Sequence, residues 1–522
     1  MTTPRLLAGR SVRFRAVLVA VVVALAYAAT SGRLLLSPSG HFHFVDMAES
    51  FLHGRLDTDT PRHRSGMPVQ AGDPKGYQQA IDRALKDANG NATGWNDWAS
   101  YRVLQLKGGE VVRGVFPWKD QAGPRSHEFY TLDGRLMLID ADKDLRVGNC
   151  TGLKGISGVD LRAVRRCDDV VHMVSFPPGP ALAMLPFAAV FGYRTNDVLI
   201  TLAFAIASAV LFFLWLERLR REDLITLGAS ARLWTTALFA FGTVAWYCSI
   251  RGEVWFTALV LGMTLHLAYL WTAQDARRPF LAGVWLGLGV ATRTPLLFAS
   301  IFLPLEALFP DGRWVGRQGG TAFRRACVQI LWFSLPMAVI GGLMAWFNYA
   351  RWGNPLEFGH FYLLEGTRPP TREHGLFSFF FLNHNLGTAL LNMPTIVPDA
   401  PFVQVTRHGL GLLASTPALG VLLGCPKRPA DLPAPPLRQR ILARHLLLTV
   451  AAVALPGFFY QNDGWQQFGY RFAMDFLPPL LGIFALRVPR LTRTTKGLIV
   501  LAIVVQLFGA LTFGRMEQFY YD

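Results

Sequence analysis

Hydrophobic residues in this chain fall into long blocks, not into strand-like alternation or a helical stripe. The first block covers residues 16–36 and the last 497–513. A helix needs about 20 apolar residues to cross the hydrocarbon, and the blocks supply about eleven such spans. They predict an all-α polytopic membrane protein. After the first, spans are expected near 198–216, 233–250, 254–272, 280–291, 295–309 and 328–347, with four more beyond residue 408. The first block is long and poor in small-residue cleavage signals, so it reads as a retained span, not a removable leader. The fifth and sixth spans are short and broken at Thr292, Arg293, Thr294 and Pro295.

Two polar interruptions are too long to be ordinary connections. Residues 37–174 carry turn residues and charge, and they predict a mixed α/β insert. Residues 101–118 read as a hairpin around a Gly-Gly turn and 128–140 as a second around Asp133-Gly134, preceded by a short polar helix at 77–88. Residues 174–192 have prolines at both ends and read as a helix lying in the membrane interface. The second interruption, 348–408, contains the apolar stretches SFFFLNHN and LGTALLN, which also suit interfacial helices. The expected organisation is therefore 1–36, amino terminus and first span; 37–196, first outer loop; 197–347, spans two to seven; 348–408, second outer loop; and 409–522, spans eight to eleven.

Composition agrees. Of 522 residues, 52% are hydrophobic and only 16% charged, so the net charge of +16 does not point to a nucleic-acid partner. The basic residues instead collect in alternate loops: Arg5 to Arg15, Arg218 to Arg221, Arg277 with Arg278, Arg313 to Arg325, Lys427 to Arg444, and Arg487 to Lys496. That parity predicts a cytoplasmic amino terminus and an extracytoplasmic carboxyl terminus. Of five cysteines, Cys150 and Cys167 fall in the first outer loop. Paired, they would close a loop worth about 3 kcal/mol in the chain-entropy model; two free thiols is the other reading.

The candidate chemistry starts directly after span one, in HFHFVDMAESFLHGRLDTDT. Asp46 and Glu49, three residues apart, share one side of a helix whose Phe42, Val45, Ala48 and Leu52 form an apolar stripe. The bland reading is a surface turn kept in water by two acids. With His41 and His43 the pair offers a divalent-metal set, although histidines at alternate positions face together on a strand and not on a helix. No cofactor is otherwise indicated: nucleotide loops, a serine-nucleophile elbow and the HExxH pattern are absent. Arg293, at the outer end of two apolar helices, needs a partner, either an anionic headgroup or a structural acid such as Glu253. Arg351, Glu357 and His360 are polar candidates of the second loop. Asp463, Arg471 and Asp475 stand among aromatics late in the chain, a grouping that suits sugar binding or an interfacial aromatic belt.

Four stretches, FVDMAESFLHGRL, SFPPGPALAMLP, FNYARWGNPLEFG and QQFGYRFAMDFLP, together resemble the GT-C membrane glycosyltransferases. Within them the likeness is to bacterial relatives of family 39, the dolichyl-phosphate-mannose mannosyltransferases. The resemblance implies a multi-pass inner-membrane enzyme that moves a sugar from a polyprenyl-phosphate carrier to an acceptor hydroxyl on the outer face, with inversion. It makes Asp46 the general base with Glu49 as its neighbour, although Met47 and Ala48 separate an acidic pair that is adjacent in the family. The departing phosphate then calls for cations: Arg293 first, Arg351 second, and Arg471, which is otherwise a structural partner of Asp475. Asp475, His360 and Glu357 are the expected substrate contacts. A polytopic transporter, flippase or polysaccharide-assembly protein is the alternative, sharing the spans and arginines but needing no surface carboxylate.

Overall fold

The computed structural model describes residues 3–58, 98–105, 111–115, 128–132, 135–140, 146–147, 150–151, 154–156, 170–362, 369–424 and 429–521. Among these, six helices are long and apolar enough to cross a membrane: Ser11–Leu36, Asp197–Arg221, Val254–Ala276, Gly320–Trp352, Leu437–Phe459 and Arg493–Thr512. The chain is a predominantly helical membrane protein. Leu331, Leu335, Val339, Leu343 and Trp346, spaced by three or four along one helix, are each at least half exposed. Such an apolar face is one that lipid solvates.

Eleven apolar blocks do not give eleven such helices. The block at 233–250 is split into helices Ala229–Phe241 and Ala245–Ser249 around Gly242 and Thr243. Pro279–Val290 has 12 residues, about 18 Å of helix against about 30 Å of hydrocarbon. The next block opens as the 3-10 helix Thr294–Ile301 before turning α at Phe302–Leu308. Between residue 408 and Leu437 the described residues hold only the short pieces Leu412–Ser415, Pro417–Leu419 and Gly420–Leu423. Leu477–Arg487 spans 11 residues, with Pro478 and Pro479 in its first turn. Hydropathy sums apolar content and is blind to the Gly, Pro and Thr positions at which the backbone ladder breaks.

The chain divides into two compact units. The first, Met1–Ser39 with Asn196–Ile340 and Phe377–Asp522, holds the long helices around a core that includes Phe212, Trp215, Phe239, Tyr247 and Tyr269. Its two ends are marked by different ion pairs. At one end Arg218 and Arg277 both reach Glu222, at 3.0 and 2.8 Å, and Arg438 lies 2.8 Å from Asp275. Beside them the fully buried Glu306 accepts from His445 at 2.6 Å, from Arg438 and from the Asp275 N–H. Arg218, Arg277 and Arg438, from three of the basic stretches, therefore gather at one end of this unit. Near the other end Arg251 pairs with Glu253 at 2.7 Å and donates to the Phe513 carbonyl, while Arg515 donates to that of Ser31. There too the Ser39 N–H and hydroxyl donate to the two oxygens of buried Asp197, at 2.7 and 2.6 Å.

Helix packing in this unit includes a near-contact of backbones. A Cβ on Gly283 would lie 2.1 Å from the Phe333 carbonyl oxygen and 2.6 Å from Pro336 Cγ. Neither atom is the far end of a flexible side chain, so Gly283→Ala must part the helices. The expected cost is about 1–3 kcal/mol, read as a lower melting temperature in detergent. An unchanged melt would mean that the helices do not approach so closely.

The second unit, Gly40–Thr195 with Gly341–Leu376, contains a six-stranded sheet in the order β7-β4-β3-β2-β1-β8. Both hairpins read from the sequence are present. β1 (Trp98–Gln105) pairs antiparallel with β2 (Val111–Val115), Arg102 opposite Gly114, and β3 (Glu128–Thr131) pairs with β4 (Leu136–Asp140), Phe129 opposite Met137. The remaining strands are β5 (Arg146–Val147) and β6 (Cys150–Thr151), a separate pair, then β7 (Lys154–Ile156) and β8 (Val170–Val174). The expected helix at 77–88 and the Cys150–Cys167 pairing lie outside the described residues.

Candidate functional site

The acidic stretch after the first long helix folds as the helix His43–Leu52. It is not the half-exposed amphipathic helix its apolar stripe suggests. His43, Phe44, Val45, Asp46, Met47, Ala48 and Ser50 are all buried, because the helix Gly179–Phe191 and strand β8 pack against it within the same unit. Leu52, expected on the apolar face, is the exposed end. The helix is thus enclosed, and it carries a carboxylate inside.

That carboxylate is Asp46, 1% exposed. Its Oδ1 accepts the Tyr193 hydroxyl at 3.1 Å. Tyr193 comes from the turn Gly192–Arg194 that ends the Gly179–Phe191 helix, and its ring meets Phe42 edge-on at 6.0 Å. On the same helix Glu49 turns one carboxylate oxygen inward, buried with no hydrogen-bond partner among the described residues. It faces Gly192, whose φ of 54° is one that glycine adopts without strain.

Burial pushes the Glu49 carboxyl above its ordinary range, with His53 opposing. A carboxyl raised in the folded state contributes stability that is complete below its ordinary pKa and is lost as pH rises through the raised one. Glutamine imitates the protonated form. Glu49→Gln should therefore melt above wild type at pH 8, and the gap should close below about pH 4. Equal melting at both pH values would mean that the oxygen is solvated after all.

His41 and His43 stack at 6.2 Å, but with Asp46 and Glu49 they do not gather into a metal-ligand group among the described residues. The only such group there is His384, His408 and Asp463, in the other unit. This corrects the placement of the metal candidate. A helix separates ligand atoms that a strand would have aligned.

Arg351 is 1% exposed at the end of the Gly320–Trp352 helix. Its guanidinium donates to the Val174 carbonyl, its Nε lies 3.3 Å from the Met173 sulfur, and it covers the Phe347 ring at 4.5 Å. It holds strand β8 to this helix end. Glu357 accepts the Gly359 N–H at 2.6 Å and so closes its own turn; burial pushes its carboxyl up, opposed by the Gly359 and Phe358 N–H groups. His360 follows in the 3-10 turn His360–Tyr362, half-buried.

In the first unit Arg293 is paired, but not with Glu253, which Arg251 takes. Its Nε and NH2 meet the two oxygens of Asp475 at 3.1 and 2.6 Å, a forked pair 14% and 4% exposed. Asp475 is thereby a partner of Arg293. Arg471 is 3% exposed, donates to the Gln466 carbonyl at 3.3 Å, and lies over the rings of Phe256 and Phe472. His266, read only as part of an apolar span, bonds through Nδ1 to the Asp475 carbonyl at 2.8 Å.

Asp463 is 4% exposed and meets two histidines, His384 at 2.9 Å and His408. Burial opposes its charge, yet the hydrogen bonds and charges of His408 and His384 outweigh burial and hold its carboxyl below the usual range. Tyr193, His266 and this histidine pair were the residues sequence reasoning missed. Each meets its partner across more than 50 positions, with no motif linking them. No family model, curated protein or solved structure matches the chain.

Proposed function

We propose that the protein is a membrane glycosyltransferase of GT-C type that uses a polyprenyl-phosphate sugar, with Asp46 as general base. One observation carries the reading: a carboxylate 1% exposed, on a short helix directly after the first long apolar helix, oriented by a tyrosine hydroxyl. A transporter needs no such group enclosed outside its spanning helices. A transferase does, because an acceptor hydroxyl must lose its proton as it attacks. In the proposed reaction the acceptor oxygen bonds to the anomeric carbon from the face opposite the phosphate. The carbon–oxygen bond to the phosphate breaks with its electron pair going to the lipid phosphate, and the hydroxyl proton passes to Asp46. The outer face of the inner membrane is the proposed location, with the amino terminus cytoplasmic and the carboxyl terminus outside, as the shared end of the basic loops supports.

The experiment is turnover of radiolabelled polyprenyl-phosphate sugars by the purified protein in nanodiscs, across a panel of donor sugars. Release or transfer by wild type supports the reading; silence across the panel favours transport or polymer assembly. Replacing Arg293, Arg351 and Arg471 singly reports, as a rise in donor KM, which arginine serves the phosphate.

A further inference from the structure

We propose that His384, His408 and Asp463 form a binding site for one divalent transition-metal ion, of which Zn2+ is the best match. The three come from separate segments: the helix Leu382–Leu390, the residues just after the strand Val403–Thr406, and the loop that follows the Leu437–Phe459 helix. Their ligand atoms all lie within 4.8 Å of one another. Two imidazoles and one carboxylate are borderline donors, suited to Zn2+ and poor for Mg2+ or Ca2+, which want oxygens throughout.

The geometry is that of a site open on one side. Asp463 is 4% exposed and supplies the floor, whereas the side chains of His408 and His384 are 34% and 60% exposed. Solvent therefore has a path to the ion and to a fourth coordination position, the arrangement of three-ligand zinc sites. His384 Nε2 now stands 2.9 Å from Asp463 Oδ2. Two ligands of a tetrahedral zinc are separated by about 3.3 Å, so admitting the ion needs the His384 ring to move back by a few tenths of an ångström and the His408 ring, which stands closer to Oδ2, by more.

Surrounding groups fix the ligands. Asp463 Oδ1 accepts the Trp465 N–H at 2.9 Å, and Oδ2, where both histidines converge, also accepts the Thr388 hydroxyl at 3.3 Å. Gln467 Nε2 donates to the backbone carbonyls of His408 and Asp463, at 2.7 and 2.9 Å, tying two ligands to one side chain. Its Oε1 accepts the Arg471 N–H at 2.8 Å. Such outer contacts orient first ligands and sustain affinity. A loaded site would thereby stiffen the turn from Asp463 to Arg471. A surface ion pair of histidine and aspartate has no need of this support.

The test uses the full-length protein, purified in detergent through a tag without histidines, stripped with a chelator and dialysed against Zn2+ alone. Elemental analysis should find one equivalent, and Co2+ in its place should give the visible absorption of a tetrahedral ion. His384→Ala should weaken binding by more than about tenfold. Because His384 is mostly exposed, that variant should melt with the metal-free wild type. His408→Gln should do the same. The proposal is overturned if wild type keeps no metal, if His384→Ala binds as wild type does, or if Mg2+ competes equally. None of these results depends on glycosyl transfer.

Discussion

Asp46→Asn should lower sugar transfer by about 100- to 10,000-fold, the range that a positioned general base contributes, while the protein accumulates and melts normally. Asparagine has the same shape, and its carbonyl oxygen still accepts the Tyr193 hydroxyl that Oδ1 accepts now at 3.1 Å. What it cannot do is take a proton. The loss should fall on kcat more than on donor KM, because the proton moves only in the transition state. Tyr193→Phe should cost less, since it removes orientation but not the base. Glu49→Gln should leave most of the activity. If Glu49→Gln is silent and Asp46→Asn active, the base is Glu49 and the reaction class stands. If neither changes turnover, the enclosed carboxylates are structural.

Asp475→Ala should destabilise the protein by about 3–5 kcal/mol, because it strands a mostly buried guanidinium. Arg293 is 14% exposed and meets both oxygens of Asp475, and a Cβ on neighbouring Gly262 would come within 2.8 Å of its Cγ, so the arginine has little room to turn elsewhere. The informative comparison is the double variant Arg293→Met with Asp475→Leu. Replacing both charges by apolar groups of similar volume should restore most of the melting temperature. If the double variant melts as low as the single one, shape and not charge holds this corner. If restored stability comes with unaltered donor binding, Arg293 is a structural residue.

How much was legible follows from the range of each signal. Apolar blocks are local, and they located the helices 197–221, 254–273 and 493–512 to within about five residues. The hairpins were legible for the same reason, since turn chemistry and alternation lie within a dozen positions. Which blocks cross was not legible. Gly242 and the prolines before Leu480 change backbone geometry without changing hydropathy. Asp46 was visible by type and place, but its enclosure comes from Tyr193 and the Gly179–Phe191 helix, remote in sequence. Partners were the weakest reading: Arg293 was given a headgroup or Glu253 and Asp475 was given Arg471, and only tertiary contact brings Arg293 to Asp475. Asp463 was singled out among aromatics, whereas its histidines lay in a stretch read for its phenylalanines.

The clasp of Ser39 on Asp197 has a consequence for how such a chain can change over generations. The chain of the first unit stops at Ser39 and resumes at Asn196, and the Ser39–Asp197 hydrogen bonds stitch those two ends together. Closing a loop between fixed ends costs only about 0.6 kcal/mol more for each doubling of its length. Segments gained or lost between those two ends thus add little to the cost of holding them together. Lineages can lengthen or shorten the chain between the two stitched ends at little cost to the closure itself.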